Sequence, residues 1–284
     1  MILRTFEPSP LLQPYVRFYW ECRVENEDLP LDQSMFPFGS FELIFNLLNP
    51  PRMIGTGRSG KDRSEPNAQP SSFCPGQFTT PFLLQYRKPS VCLGVSMHAW
   101  VGNLLFGIPA CELTNRIIRL ARMDSNTAHV FRKLQSRKNT VSVIEAFLRK
   151  KFLHSEIDSL VRSIVTAIQV QPSRNSVRSF LSQLHLTHRR IEQRFLAVTG
   201  LTMSRFIRKA RFHRTIQHLN RNNKLSLTNV AHEMGYYDQP HFINEFKAFA
   251  GITPSEFIVR RTPMQNFFSS LVPVEDGTNF QLMD

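Results

Sequence analysis

The sequence predicts an α+β chain: a β-rich N-terminal domain, then an all-α domain with two helix-turn-helix motifs joined by a long helix. Three observations predict it. Short runs rich in β-branched and aromatic residues fill the first hundred positions, helical periodicity takes over from about residue 98, and the last hundred residues repeat themselves at an offset of 51. The length agrees, since 284 residues at about 150 per domain suggest two domains.

In the first domain, assigned to residues 1–155, four segments read as strands. VRFYWECRV (16–24), SFELIFNLL (40–48), QFTTPFLLQY (77–86) and SVCLGVSM (90–97) have the residue types of strands and are bounded by Pro and Gly. Between the second and third, residues 49–72 are polar and read as a long mobile loop. That loop contains Gly55-Thr56-Gly57-Arg58-Ser59-Gly60-Lys61, which satisfies two phosphate-binding patterns at once. Phosphate cradling requires a strand directly before such a loop and a helix N-terminus directly after it. Here Pro50 and Pro51 precede it, Pro66 and Pro70 follow it, and Asp62 replaces the Ser or Thr that would hold magnesium. No nucleotide site is expected. From WVGNLLFGI onward the pattern is helical, and around 124–152 it is carried by Val130, Leu134, Val141, Ile144, Phe147 and Leu148. Pro172 and Asn175 mark a break before the last folded block, and residues 263–284 are too aperiodic to be assigned structure.

Several function classes are excluded. Apolar content is 42%, but no run approaches the roughly 18 residues of a membrane span, and the N-terminus lacks the pattern of a secretory signal. Four scattered cysteines (Cys22, Cys74, Cys92, Cys111) make neither a disulfide framework nor a Cys-x-x-Cys metal site, which fits a reducing cytoplasm. His185 and His188, like His213 and His218, lack a Cys or acidic companion at ligand spacing, so no metal or cofactor is expected. No nucleophile triad or carboxylate pair stands out, which argues against an enzyme. Trp20, Phe36, Phe38, Tyr86 and Trp100 are candidates to line a ligand pocket, although most aromatics in such a domain are core.

The repeat carries the functional information. FLAVTGLTMSRFI (195–207) and FKAFAGITPSEFI (246–258) share Phe, Gly, Thr, Ser, Phe and Ile at equivalent positions. Each copy reads as helix, tight turn, helix. In the first, Val177, Phe180, Leu181 and Leu184 form an apolar face, His185 and Leu186 turn, and Thr187 caps a helix burying Ile191 and Phe195. In the second, Leu227, Val230, Ala231 and Met234 form the face, Gly235 permits the turn, Asp238 caps, Phe242 and Phe246 are buried, and Gly251 ends the helix. Thr253-Pro254-Ser255-Glu256 opens another helix with a capping box. Ala231, followed four residues later by Gly235, has the spacing of a DNA-binding helix-turn-helix. The net charge of +13 is concentrated on the same block: residues 160–262 hold sixteen Lys or Arg against five Asp or Glu, whereas residues 1–115 hold nine against ten. Fold and charge together make double-stranded DNA the expected partner.

This block, 160–262, resembles the DNA-binding domain of the AraC/XylS family of bacterial transcription regulators. VAHEMGYYDQPHFINEFKAFAGITPSEF (230–257) is similar to that family's signature nearly end to end, and RRIEQRF with VTG (189–200) to the matching part of its first motif. LLQPYVRFYW (11–20) and FGIPACELTN (106–115) resemble, more weakly, a sensor-type domain in one branch of the family. The resemblance implies two units joined by the helix Ser204–Leu219 and set in successive major grooves, roughly 34 Å apart. It implies base-edge contacts from Arg189, Glu192 and Gln193, with His188 and Arg190 near the backbone, and from Gln239, His241 and Asn244, with Pro240 packing nearby. By hydrogen-bond geometry Arg189 suits guanine, and Gln193 or Gln239 adenine. Lys209 and Lys247 are expected on phosphates. Gln193 and Asn244 stand where the family often has Arg. The expected function is sequence-specific transcription regulation, controlled through a sensor or dimerisation domain. Beside DNA, a small-molecule effector, RNA polymerase and a second copy are candidate partners. An enzyme with an accessory DNA-binding domain is the alternative.

Overall fold

A strand buried on both faces reads as a nearly continuous apolar run, and the segment Ser90–Met97 is buried at every position. It is one of ten strands among the described residues: β1 (Ile2–Phe6), β2 (Val16–Val24), β3 (Leu31–Met35), β4 (Phe41–Leu48), β5 (Arg52–Gly55), β6 (Asn67–Ala68), β7 (Ser72–Pro75), β8 (Phe82–Tyr86), β9 (Ser90–Met97) and β10 (Ile117–Arg119). The computed structural model describes the chain except residues 37–38, 56–66, 123–125, 137, 174–176, 179–180, 183–186, 222–225, 261 and 271–284. Among the described residues the strands form two antiparallel sheets, ordered β1-β2-β9-β4-β7-β10 and β3-β8-β5-β6. The α+β class stands, with the β-rich half first. The four expected strands are β2, β4, β8 and β9, with β8 starting only after Pro81.

The expected 49–72 loop is corrected. Met53 and Ile54 are apolar enough to pair with Leu84 and Leu83 of β8, so β5 and β6 extend the smaller sheet from within that stretch. Gly55 belongs to β5 itself, while Gly57, Gly60 and Lys61 lie outside the described residues.

Strand alternation divides the interior into two regions. On β4, Phe41, Leu43 and Phe45 join the larger core. Glu42, Ile44 and Asn46 point instead into a cavity between the sheets. The Trp20 indole packs against Gly94 of β9, which leaves it room; a Cβ there would come within 1.9 Å of the ring.

The helices that follow are α1 (Gly102–Phe106), α2 (Thr127–Gln135), α3 (Thr140–Phe152), α4 (Ser159–Val170), α5 (His188–Thr199), α6 (Met203–Arg221), α7 (Leu227–Glu233), α8 (Gln239–Ala250), α9 (Pro254–Val259) and α10 (Pro263–Ser270). No described helix is long and apolar enough to cross a membrane. Val130, Leu134, Ile144 and Leu148 are buried as their spacing requires, and Val141 and Phe147 pack half-buried beside them. One core runs from Leu12, Phe41 and Trp100 through Ile164 and Val165 to Phe195 and Phe206, so apolar packing continues across residues 155–160. A second core gathers Phe212, Phe242, Phe246 and Phe257.

Residues 263–270, left without an assignment from the sequence, form α10. Met264 and Gln265 are buried, and Gln265 Nε2 donates to the Ser34 carbonyl of β3 at 3.1 Å. Eight residues are too short a window for the apolar period to show.

Candidate nucleic-acid interface

The second helix-turn-helix is α7 and α8. Gly235 adopts the left-handed turn at φ +71°, and Asp238 Oδ1 accepts the His241 N–H at 2.7 Å to cap α8. Phe242, Phe246 and Phe249 are buried, which leaves Pro240, Asn244 and Lys247 exposed on the opposite face. Gln239 and His241 flank that face, half-buried. Gln239 Oε1 accepts from Thr228 Oγ1 at 2.8 Å, and His241 Nδ1 accepts from the Tyr237 N–H at 3.3 Å. The Thr253–Glu256 capping box is present, and it holds the Glu256 carboxyl below the usual carboxylate range through hydrogen bonds from Thr253.

The first unit places α5 at the repeat offset, His188–Thr199 against Gln239–Ala250. His188, Arg189, Arg190 and Gln193 are exposed and Glu192 half-buried, while Ile191 and Phe195 face inward. Arg189, Arg190 and Gln193 make no hydrogen bond or ion pair among the described residues. Thr187 holds the capping position without a side-chain cap bond. Phe180, Leu184, His185 and Leu186 lie outside the described residues.

The helix between the units, α6, covers 19 residues and is about 28 Å long at 1.5 Å per residue. One expectation on it fails. Lys209 was expected on phosphate, but it is 3% exposed, and its Nζ donates to Gln77 Oε1 at 2.7 Å and to the Phe78 carbonyl at 3.2 Å. Burial, with Arg205 nearby, lowers its pKa from 10.5 to about 7. Part of the basic surplus also serves the fold. Arg208 pairs with Glu245 and lies over the Phe249 ring, Arg211 lies over Tyr236, and Arg214 donates to the Val170 carbonyl at 2.9 Å.

The inter-sheet cavity, about 100 Å³, is lined by Trp20, Met35, Phe73, Phe82, Leu84 and Tyr86 from the strands and by Lys209 of α6 and Met264 of α10. Of the five candidate pocket aromatics, Trp20, Phe36 and Tyr86 line it. Trp100 belongs to the larger core, its Nε1 donating to the Pro14 carbonyl at 3.0 Å, and Phe38 lies outside the described residues. The one carboxylate of the lining, Glu42, accepts from Trp20 Nε1 at 3.0 Å and from Ser40 and Ser96 Oγ at 2.8 Å. Burial still pushes its carboxyl upward. Lys209 makes no ion pair among the described residues, and in its protonated form it has a third N–H beyond those two bonds. Nothing in the sequence marks this arrangement, because Lys209 sits in a run of surface-type residues.

The chain matches two family descriptions: "Helix-turn-helix domain" over residues 181–260 and "Domain of unknown function (DUF6597)" over residues 4–119. It is 25% identical over 101 residues to the HTH-type transcriptional activator RhaR of Salmonella dublin, across 36% of this chain and 34% of the relative. The chain thus spans about a third of the length of that curated relative. Among solved structures, ToxT of Vibrio cholerae is similar at 10% identity and a TM-score of 0.49, over 85% of this chain and 97% of ToxT. A ToxT structure described as bound to unsaturated fatty acid is similar at 13% identity and a TM-score of 0.42, over 84% and 93% of the respective chains.

Proposed function

The chain belongs to the AraC/XylS family of helix-turn-helix proteins, and from that premise we propose that it is a sequence-specific DNA-binding transcription regulator controlled through its N-terminal half. The observation that carries this reading is the exposure of Arg189, Arg190 and Gln193 on α5 and of Asn244 and Lys247 on α8, one set on each unit of the repeat. Arg189 and Gln193 are the base-reading groups of the first unit, Arg190 and His188 lie toward the backbone, and Lys247 positions the second on phosphate. In this reading the chain is not an enzyme. It works in the cytoplasm on promoter DNA, singly or as a homodimer, and acts on transcription through RNA polymerase.

The cavity supports control by a small molecule. Its apolar lining and the Lys209 amine, which a neighbouring anion would hold protonated, suit an apolar effector with one anionic group. Because Lys209 and Met264 come from the C-terminal half, whatever fills the cavity touches both halves at once.

The experiment is sequencing of the duplexes that the purified full chain retains from a random pool, with affinity followed against salt. One enriched motif is expected, and a fall of about a thousandfold between about 50 and 200 mM salt if six or more phosphates are neutralised. A flat salt response, or no enriched motif, would count against the reading.

A further inference from the structure

The groups that hold Lys209 are uncharged. Its Nζ donates to Gln77 Oε1 at 2.7 Å and to the Phe78 carbonyl at 3.2 Å, and among the described residues no carboxylate pairs with it. Burial opposes its charge, the Arg205 cation adds to that, and its pKa falls to about 7. An unprotonated amine has two N–H groups and one lone pair. With both N–H groups given to Gln77 and Phe78, the lone pair is left unengaged, on a residue that lines the inter-sheet cavity.

We propose that Lys209 is a covalent modification site, whose amine forms a reversible imine with a small apolar aldehyde held in the inter-sheet cavity. A lysine desolvated in an apolar pocket beside another cation is the kind of amine that attacks carbonyls. The inference goes beyond the anionic effector considered above, since it uses the same nitrogen as a nucleophile, and it does not depend on DNA binding. The lone pair attacks the carbonyl carbon, the nitrogen passes its two hydrogens to the carbonyl oxygen, and that oxygen leaves as water while C=N forms. One amine and one aldehyde give one imine and one water, with no oxidant or reductant. The nitrogen thereby loses both donors, and the water set free has two hydrogens to give to Gln77 Oε1 and the Phe78 carbonyl. Size selects the aldehyde. An apolar cavity of about 150 Å³ takes the six carbons of benzene, and this one is about 100 Å³. About four or five non-hydrogen atoms fit by that scale, as in butanal. Trp20, Phe73, Phe82 and Leu84 are the apolar surface for its alkyl chain.

The test exposes the full chain to butanal labelled at its carbonyl carbon. NMR should show an imine carbon in the wild type, reduced at least about tenfold in K209R, which keeps a cation but offers no amine. Trapping with ammonia borane, neutral and smaller than butanal, and peptide mapping then locate the adduct. At about pH 7 half of Lys209 is unprotonated, against fewer than about one in a thousand of an exposed lysine, so its label should exceed that of any exposed lysine at least about tenfold. An anthracene aldehyde, too large for the cavity, should leave Lys209 unlabelled. The proposal is overturned if no imine signal appears, if the label is spread over exposed lysines, or if the anthracene aldehyde labels Lys209 as readily as butanal. Should K209R fail to fold, mapping of the wild type decides alone. None of these outcomes touches the DNA-binding reading, which the retained duplexes test separately.

Discussion

The two helix-turn-helix units share a length, a cap position and a terminal glycine, yet the molecule holds them differently. Both second helices run for 12 residues and end at a left-handed glycine, Gly200 at φ +78° and Gly251 at φ +76°. In the first unit Ile191, Phe195 and Val198 share one core with Phe41, Leu105 and Leu113 of the N-terminal half, and Thr114 Oγ1 donates to the Gly200 carbonyl at 2.7 Å. The second unit has its own aromatic core, into which the N-terminal half sends Phe36. Its remaining ties include Pro81 beside Gly251 and, through α10, the bond from Gln265 to Ser34. The same local pattern thus supports one helix-turn-helix unit continuous with the N-terminal half and another attached to it at a few points. A rearrangement of the cavity wall has less packing to disturb at the second unit.

The largest expected effect tests this contrast directly. Phe195→Ala and Phe246→Ala each remove a fully buried ring, and each should cost about 3–5 kcal/mol. Their reach should differ. By hydrogen exchange, Phe195→Ala should expose β9 and α4 together with α5, whereas Phe246→Ala should expose residues 227–258 alone. Loss of β9 protection in Phe246→Ala would break the comparison.

The next effect is on recognition. Arg189→Ala should remove about 1–3 kcal/mol of discrimination at one or two positions of the first half-site. The reading face of α8 has no Arg, so the second half-site should be the more diffuse in a selected pool. Two equally sharp half-sites would sink that asymmetry.

Smaller still is the difference between the glycines. Either change to Ala forces a side chain into the left-handed region, about 1–2 kcal/mol by thermal melting. Gly200→Ala should cost more, because its Cβ would meet the Ala110 carbonyl oxygen at 2.9 Å, against the Pro81 ring carbon at 3.3 Å from Gly251. Equal costs would mean that the first contact yields as readily as the second.

A last effect follows pH. Below about 7 Lys209 is protonated whether the chain is folded or not and adds no slope. Between about 7 and 10.5 the folded protein has released a proton that the unfolded chain still binds, so stability rises with pH by at most about 1.4 kcal/mol per unit. Lys209→Met should remove that slope when the two proteins are melted from about pH 6 to pH 9. Parallel profiles would show that water reaches the ammonium.

These contrasts also mark what could be read in advance. Caps, turn glycine and buried face of the second unit depend on neighbours within one turn of helix, and Asp238, Gly235, Phe242 and Phe246 are where spacing put them. The cavity depends on pairings far apart in the chain. Lys209 meets Gln77 across 132 positions, a separation no local pattern encodes. Its periodicity also misleads, since α6 is buried on several sides and a lysine among arginines reads as surface. Strands β1, β3, β7 and β10 escaped notice because each has only four residues to show an alternation, or three, or five.

The position of α10 has a consequence for how the protein is made. Gln265 lies 231 residues after the strand residue it binds. At about 5–20 residues per second, a ribosome needs roughly 10–45 s to travel between them. In the later part of that interval, once β10 has been made, the inter-sheet cavity lacks the wall that Met264 supplies, although every strand around it has already been synthesised. The N-terminal half of the nascent chain is therefore completed by a helix translated after both helix-turn-helix units, and the cavity meets the surrounding solution before Met264 is in place.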